Sequence, residues 1–291
     1  MGGDQRFGDL VDQWDANARE DPLWVILVDP ARAENRWTEA EFFATGVEEW
    51  ARVSAWLADV GAAPKSDSRF VDFGCGVGRV TREMRAHLGE GRGVDISSEM
   101  VTQARRSDPD GTYVVNTAPN LAFIADGSVD LVYCHMVLQH LDETLQESLI
   151  GEFVRVLARD GVAVFQVANE LAQRGAEGPA LSRRATSALP GPAKRWIKRL
   201  VGRPVISRQI RIEMHLVPDA RVRDAVDRAS ADVIAASYTN STDPGHNGAL
   251  RFFDRETAVA RLSHERGASD ILSQMYVVRR RAQPAGLSLS R

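Results

Sequence analysis

Between residues 69 and 168 the chain alternates short apolar runs with segments whose apolar residues recur every three or four positions. The runs predict strands over 69–73, 91–94, 112–115, 128–135 and 161–168, and the periodic segments predict helices over 79–88, 98–105 and 144–157. The run 161–168 is nearly continuous, as expected for a strand covered on both faces. Strands alternating with helices predict a parallel, doubly wound α/β sheet. The pattern resumes after 219, with a helix over 220–229 and strands over 232–238 and 274–279. Upstream, 7–60 reads as two or three helical segments. In the last of these Phe43, Val47, Trp50, Val53, Trp56, Leu57 and Val60 fall at spacings of three and four, the signature of one buried helix face. Gly61-Ala62-Ala63-Pro64 ends it.

Two long stretches interrupt this order, 171–217 and 239–272. Connections of that length in a compact domain are usually functional or disordered. The chain therefore divides into an N-terminal helical cap (1–63), a core (64–170), an insert (171–217), a C-terminal part of the core sheet (218–281) and a frayed tail (282–291). The whole is 291 residues, 44% hydrophobic and 26% charged, enough for a full core. The net charge of -4 gives no general attraction to a polyanion. No apolar run reaches membrane-spanning length, and the N-terminus has no signal core, so a cytoplasmic location is expected. The two cysteines, Cys75 and Cys134, are expected as buried thiols rather than a disulfide scaffold.

The chemistry concentrates in Val71-Asp72-Phe73-Gly74-Cys75-Gly76-Val77-Gly78-Arg79. An apolar run ends in an acid, and glycines follow at alternate positions before a helix. Gly74 and Gly76 permit positive φ and a close approach of backbone N–H groups to a ligand, while Gly78 clears space between helix and strand. Asp95 ends the second strand, where an acid can accept hydrogen bonds from ribose hydroxyls. A dinucleotide fingerprint would need a third glycine or alanine where Arg79 stands.

The spacing instead resembles motif I of class I S-adenosylmethionine-dependent methyltransferases. Further pieces follow in the family's order: Gly93–Met100, Asp126-Gly127-Ser128-Val129-Asp130-Leu131-Val132, Val137-Leu138-Gln139-His140-Leu141, and Phe153-Val154-Arg155-Val156-Leu157-Ala158-Arg159-Asp160-Gly161. The resemblance covers about 110 residues. It implies a seven-stranded sheet with the last strand antiparallel, and S-adenosyl-L-methionine as cofactor. By the same resemblance Asp72 lies near the methionyl amino group, Gly74, Cys75 and Gly76 wrap the amino-acid and ribose portions, and Asp95 holds the ribose. Ile96 and Met100 sandwich the adenine, and His135 faces the methionine moiety. Where the family often has Asp-Ala, this chain has Asn116-Thr117-Ala118, so the backbone of Thr117 or Ala118 is expected to meet the adenine edge.

The reaction implied is methyl transfer, with O-methylation of a small-molecule or sugar hydroxyl first. N- or C-methylation, a lipid-linked acceptor and a non-catalytic cofactor-binding protein are the alternatives. A nicotinamide-dependent reductase is disfavoured by Arg79 and by the lack of a Tyr-x-x-x-Lys pair. An oxygen acceptor needs its proton removed. His140 is the catalytic candidate, with bracing of its loop as the competing role; Glu213, His215 and His246 sit in the interrupting stretches as expected solvated residues. No metal-ligand spacing is present, and no nucleic-acid module. From Gly178 to Ile212 there are nine basic residues and no acid. The segment 192–201 reads as a basic amphipathic helix, either a lid over the pocket or a contact through 183–211 with a membrane or anionic substrate.

Overall fold

The computed structural model describes residues 2–172, 210, 212–246, 248–265 and 268–281, with the side chains of 2–6 left aside. The expected basic helix over 192–201 and the tail 282–291 lie outside the described residues.

Three helices come first: α1 (Gly2–Glu20), α2 (Pro22–Ile26) and α3 (Glu39–Asp59). Asp21 caps α2, with Pro22 at its first turn. At α3 the hydroxyl of Thr38 accepts from the Glu41 N–H while the Glu41 carboxylate reaches back to the Thr38 N–H, a reciprocal cap. The core follows as β1 (Phe70–Phe73), α4 (Thr81–His87), β2 (Gly91–Asp95), α5 (Ser98–Ser107), β3 (Tyr113–Val115), β4 (Val129–Cys134), α6 (Glu143–Val156) and β5 (Leu157–Leu171). Ser97 caps α5 and Asp142 caps α6. After the second interruption come α7 (Asp219–Arg228), β6 (Ala231–Thr239), β7 (Phe252–Phe253), α8 (Arg255–His264) and β8 (Ile271–Arg280).

The strands form one sheet in the order β3-β2-β1-β4-β5-β8-β6-β7. The first five are parallel to one another, and β8 runs antiparallel between β5 and β6. The expected architecture stands, with eight strands in place of seven. The extra one is the two-residue β7, which pairs with the end of β6 inside the 239–272 connection. That connection also holds α8, capped by Asp254, so much of it is regular structure rather than loop. The short apolar pair Phe252-Phe253 is too brief a run to carry a period.

Two apolar layers sandwich the sheet. On one side Leu149 and Phe153 of α6 and Val222 and Val226 of α7 pack against Val132, Phe165 and Tyr276. On the other, Trp50, Val53 and Leu57 of α3 and Met84 of α4 pack against Leu131, Tyr133, Val164 and Val277. Each such side chain, fully buried, contributes about 1.5–3 kcal/mol. The buried stripe of α3 differs from the expected one. Val47 is exposed, and Phe42, Thr45, Gly46 and Glu49 complete the face. Gly46 is required there, because a Cβ would come within 2.2 Å of the Arg79 carbonyl oxygen. So α3 lies directly on the glycine turn. The strand order reverses between β1 and β4, which opens a crevice at the carboxyl ends of these strands.

Candidate active site

The turn after β1 is shaped by its glycines. Gly74, Gly76 and Gly78 have φ of 76°, 52° and 81°. The N–H groups of Gly74 and Cys75 donate to the Val94 carbonyl at 2.7 and 3.1 Å, which ties the turn to β2. A Cβ on Gly74 would strike Val137 Cγ2 at 2.1 Å, and one on Gly76 would strike Ile26 Cδ1 at 2.6 Å. Gly78 faces Tyr113 instead, so its role is to let β3 approach.

Two acids flank the turn. The Asp95 carboxylate accepts from the N–H of Gly76 and of Ser97, each at 2.8 Å. A carboxylate offers about four lone-pair positions, so these bonds do not exhaust its capacity to accept. Burial raises its pKa. Asp72 is buried and accepts from the Thr81 hydroxyl at 2.5 Å. Burial pushes its pKa up to about 7. A cation placed beside it would reverse that shift.

Above the crevice lies a cavity of about 580 Å³. Its floor includes Asp72, Gly74, Cys75, Gly76, Asp95, Ile96, Met100, Asn116 and His135. Its roof includes Phe7, Leu10 and Trp14 of α1, Trp24 and Ile26 of α2, and Ile210, Ile212 and Met214 from the return of the first insert. Helix α1 is held down over α5: Asp15 accepts from the hydroxyls of Ser97 at 2.6 Å and Ser98 at 3.1 Å. Arg19 pairs with Glu99 at 2.9 Å.

A buried polar chain crosses the far wall. Glu49 of α3, fully enclosed, pairs with Arg79 at 2.7 Å through one oxygen. Its other oxygen accepts from Tyr133 at 2.8 Å and contacts His135 Nδ1 at 2.9 Å. His135 Nε2 lies 2.7 Å from the Ser241 hydroxyl, which lies 2.7 Å from the Thr239 hydroxyl. Burial alone would raise the pKa of Glu49, but Arg79 and then His135 outweigh it and hold the group ionised, well below the usual range. Beyond His135, at 6.3 Å between ring centres, stands His246. It lines the cavity instead of lying in solvent, and burial followed by the neighbouring His135 lowers its pKa to about 4.

Of the residues expected from sequence, Asp72, Gly74, Cys75, Gly76, Asp95, Ile96, Met100, His135 and His140 line this one cavity. Gly78, Thr117 and Ala118 are not among its lining residues. Thr117 is exposed, and it is Asn116 that points inward; its Nδ2 is buried with no hydrogen-bond partner among the described residues. His140 has both ring nitrogens engaged, Nδ1 with the Glu213 carbonyl at 2.7 Å and Nε2 with Gln139 at 3.2 Å. Its ring packs edge-on to Trp14 at 5.2 Å, and burial lowers its pKa to about 4. His215 is tied by its N–H to the Gln139 carbonyl at 2.7 Å. Both cysteines are buried and free.

Sequence reasoning missed Glu49, Tyr133 and Ser241. For Glu49 a signal existed: an acid inside the apolar stripe of α3, between Thr45, Gly46 and Val53. For Tyr133 and Ser241 there was none, since their partners lie 84 and 106 residues away. Among the described residues no cluster of His, Cys, Asp or Glu could hold a metal ion, and no helix is long and apolar enough to cross a membrane.

Residues 71–165 match a family model described as "Methyltransferase domain". The malonyl-[acyl-carrier protein] O-methyltransferases of Enterobacter lignolyticus and Pectobacterium atrosepticum are 32% identical over 98 and 100 residues respectively. Each match covers 34% of this chain and 38% of the relative, so the chain spans under two-fifths of those relatives' length. Among solved structures, the magnesium protoporphyrin IX methyltransferase of Synechocystis PCC 6803 with bound SAH superposes with a TM-score of 0.54 at 15% identity, over 94% of this chain and 99% of that one. An S-adenosylmethionine-dependent methyltransferase from Mesorhizobium loti gives 0.50 at 19% identity, over 78% and 98%. At these identities the structural likeness concerns the fold.

Proposed function

From the premise that this chain is a class I S-adenosylmethionine-dependent methyltransferase through the domain that includes residues 71–165, we propose that it O-methylates a small molecule with an apolar body and a hydroxyl group. The observation that carries this reading is a shared cavity, in which the glycine turn and its two acids open beneath Phe7, Leu10, Trp14, Trp24 and Met214.

The described residues fit the cofactor. Asp72 is a buried carboxyl whose raised pKa calls for a cation, which suits a methionyl ammonium. The remaining accepting capacity of Asp95 suits ribose hydroxyls. Ile96 and Met100 offer apolar faces to the adenine. The unpartnered Asn116 Nδ2 offers a donor to its edge, and takes the place in this proposal that sequence alone gave to Thr117 or Ala118. A buried donor left unmatched costs about 1–3 kcal/mol, which a ligand acceptor would recover. When bound, the cofactor supplies a methyl group on a positively charged sulfur.

The chain's own part is alignment and proton removal. The α1 and α2 side chains exclude water and hold the apolar acceptor against the turn. His140, satisfied at both nitrogens and wedged on Trp14, braces the loop after β4 and ties it to the return of the first insert through Glu213. Calorimetry with SAH tests the cofactor half; a mass-spectrometric screen for methyl transfer to hydroxylated aromatic and alicyclic acceptors tests the rest. Binding of SAH without transfer to any acceptor would return the non-catalytic alternative.

A further inference from the structure

Resting on the methyl-transfer reading, we infer that His246 Nε2 is the proton acceptor of this site, and that the atom methylated is the oxygen of a neutral hydroxyl rather than of a carboxylate.

Three histidines line the cavity, and their ring nitrogens differ; His140 is engaged at both. His135 is committed at both, to Glu49 and to Ser241. His246 is committed at one. Its Nδ1 lies 3.3 Å from the Asp243 carbonyl oxygen, which can only accept, so Nδ1 carries the hydrogen. Its Nε2 then carries the lone pair. That atom is buried, with no partner among the described residues. A buried imidazole lone pair without a partner calls for an O–H or N–H donor. The carbonyl that fixes the tautomer is itself held: the Asp243 carboxylate accepts from Arg261 and from the Ser269 N–H at 2.7 Å.

The charges point the same way. Five acids line the cavity among the described residues, Glu49, Asp72, Asp95, Glu213 and Asp243, against one guanidinium, Arg79, which Glu49 already occupies. Among the described residues no side-chain cation is free to meet a carboxylate acceptor, and such an acceptor would need no base. A neutral hydroxyl brings the donor that Nε2 lacks.

The step balances. The acceptor oxygen forms its bond to the methyl carbon, and the S–CH3 bond breaks with its electron pair kept on sulfur. The O–H proton passes to Nε2. One positive charge starts on the sulfonium and ends on the imidazolium, so the pocket's net charge is unchanged. Burial, His135 and Arg79 keep His246 unprotonated beforehand, while Glu49 favours the cation that forms.

The test uses long-range proton–nitrogen NMR of the histidines in the full-length, SAH-loaded protein, with His246→Gln for assignment. The expected spectrum shows His246 as the neutral Nδ1–H tautomer between about pH 6 and 8. Adding 2-naphthol should move its Nε2 resonance; 2-naphthoate and naphthalene should not. In calorimetry, His246→Gln should weaken 2-naphthol binding by up to about tenfold, the worth of one hydrogen bond, and SAH binding by less. An Nε2–H tautomer, an imidazolium near neutral pH, an unmoved Nε2 with 2-naphthol, or a preference for 2-naphthoate overturns the inference. Failure to bind SAH at all would instead overturn the methyltransferase reading beneath it.

Discussion

The two ends of the cavity are built in different ways. The proposed cofactor end is built from neighbouring stretches of chain, chiefly backbone N–H groups, the positive-φ glycine turn and two acids at strand ends. The acceptor end is made from side chains of α1, α2, α3, the loop after β4, the return of the first insert and the β6–β7 connection. Local backbone geometry specifies the first end. The second exists only when distant segments pack together, as where the Gly245 N–H donates to the Val28 carbonyl and His135 meets Ser241. A cofactor shared by many enzymes can be held by a fixed turn, whereas acceptor choice is left to pieces that vary independently of it.

That contrast can be broken hardest at Glu49. Glu49→Ala leaves Arg79 buried without its partner and removes the acceptor of Tyr133 and His135. A loss of about 3–5 kcal/mol in urea unfolding is expected. A loss under about 1 kcal/mol, the size usual for an exposed pair, would mean that this wall is not the tie between cap and core.

At the other end Asp95→Ala should leave the fold intact and weaken SAH binding by about 2–4 kcal/mol, from two lost charge-assisted hydrogen bonds. Unchanged affinity in calorimetry would remove Asp95 from the cofactor site.

Asp72 gives a pH signature. Its carboxyl, near pKa 7 in the free protein, has to be ionised beside an ammonium, so binding S-adenosylmethionine should release a proton below that pH. Affinity should then fall by about tenfold per pH unit below 7, or about 1.4 kcal/mol, and Asp72→Asn should flatten the profile. Because the folded pKa is raised, Asp72 also makes the free protein less stable as pH rises from about 4 to 7, after which the penalty is complete. A flat binding profile in the native protein would place the ammonium elsewhere.

The smallest effect is expected at His140. His140→Ala removes a hydrogen bond to the Glu213 carbonyl and an edge contact with Trp14, about 0.5–1.5 kcal/mol of stability. Turnover, once an acceptor is found, should change little beside the loss in His246→Gln. A collapse of turnover with stability unchanged would restore His140 as the base.

Much of the fold was legible. Strand and helix order through Ala168, the stop at Gly61-Ala62-Ala63-Pro64 and the antiparallel last strand all carry local or motif signals, and the structure has them. The misses have physical causes. Hydrophobicity alone puts Val47 on the buried face of α3, whereas the ion pair with Arg79 turns Glu49 inward. Helix α4 begins at Thr81 instead of 79 because the glycine turn continues through Val80. His246 read as a solvated residue because nothing local shows that β6 and β7 fold its connection back over the sheet.

By itself the sequence determined the glycine turn and its two flanking acids, since backbone sterics act over a few residues, while the inward place of Asn116 came from the fold. Tertiary structure alone decided the acceptor end. It buried Glu49 against Arg79, locked both nitrogens of His135 and left one nitrogen of His246 without a partner among the described residues. Such a site is defined by which hydrogen-bonding groups lose water and which find partners, and that depends on every segment that closes over it.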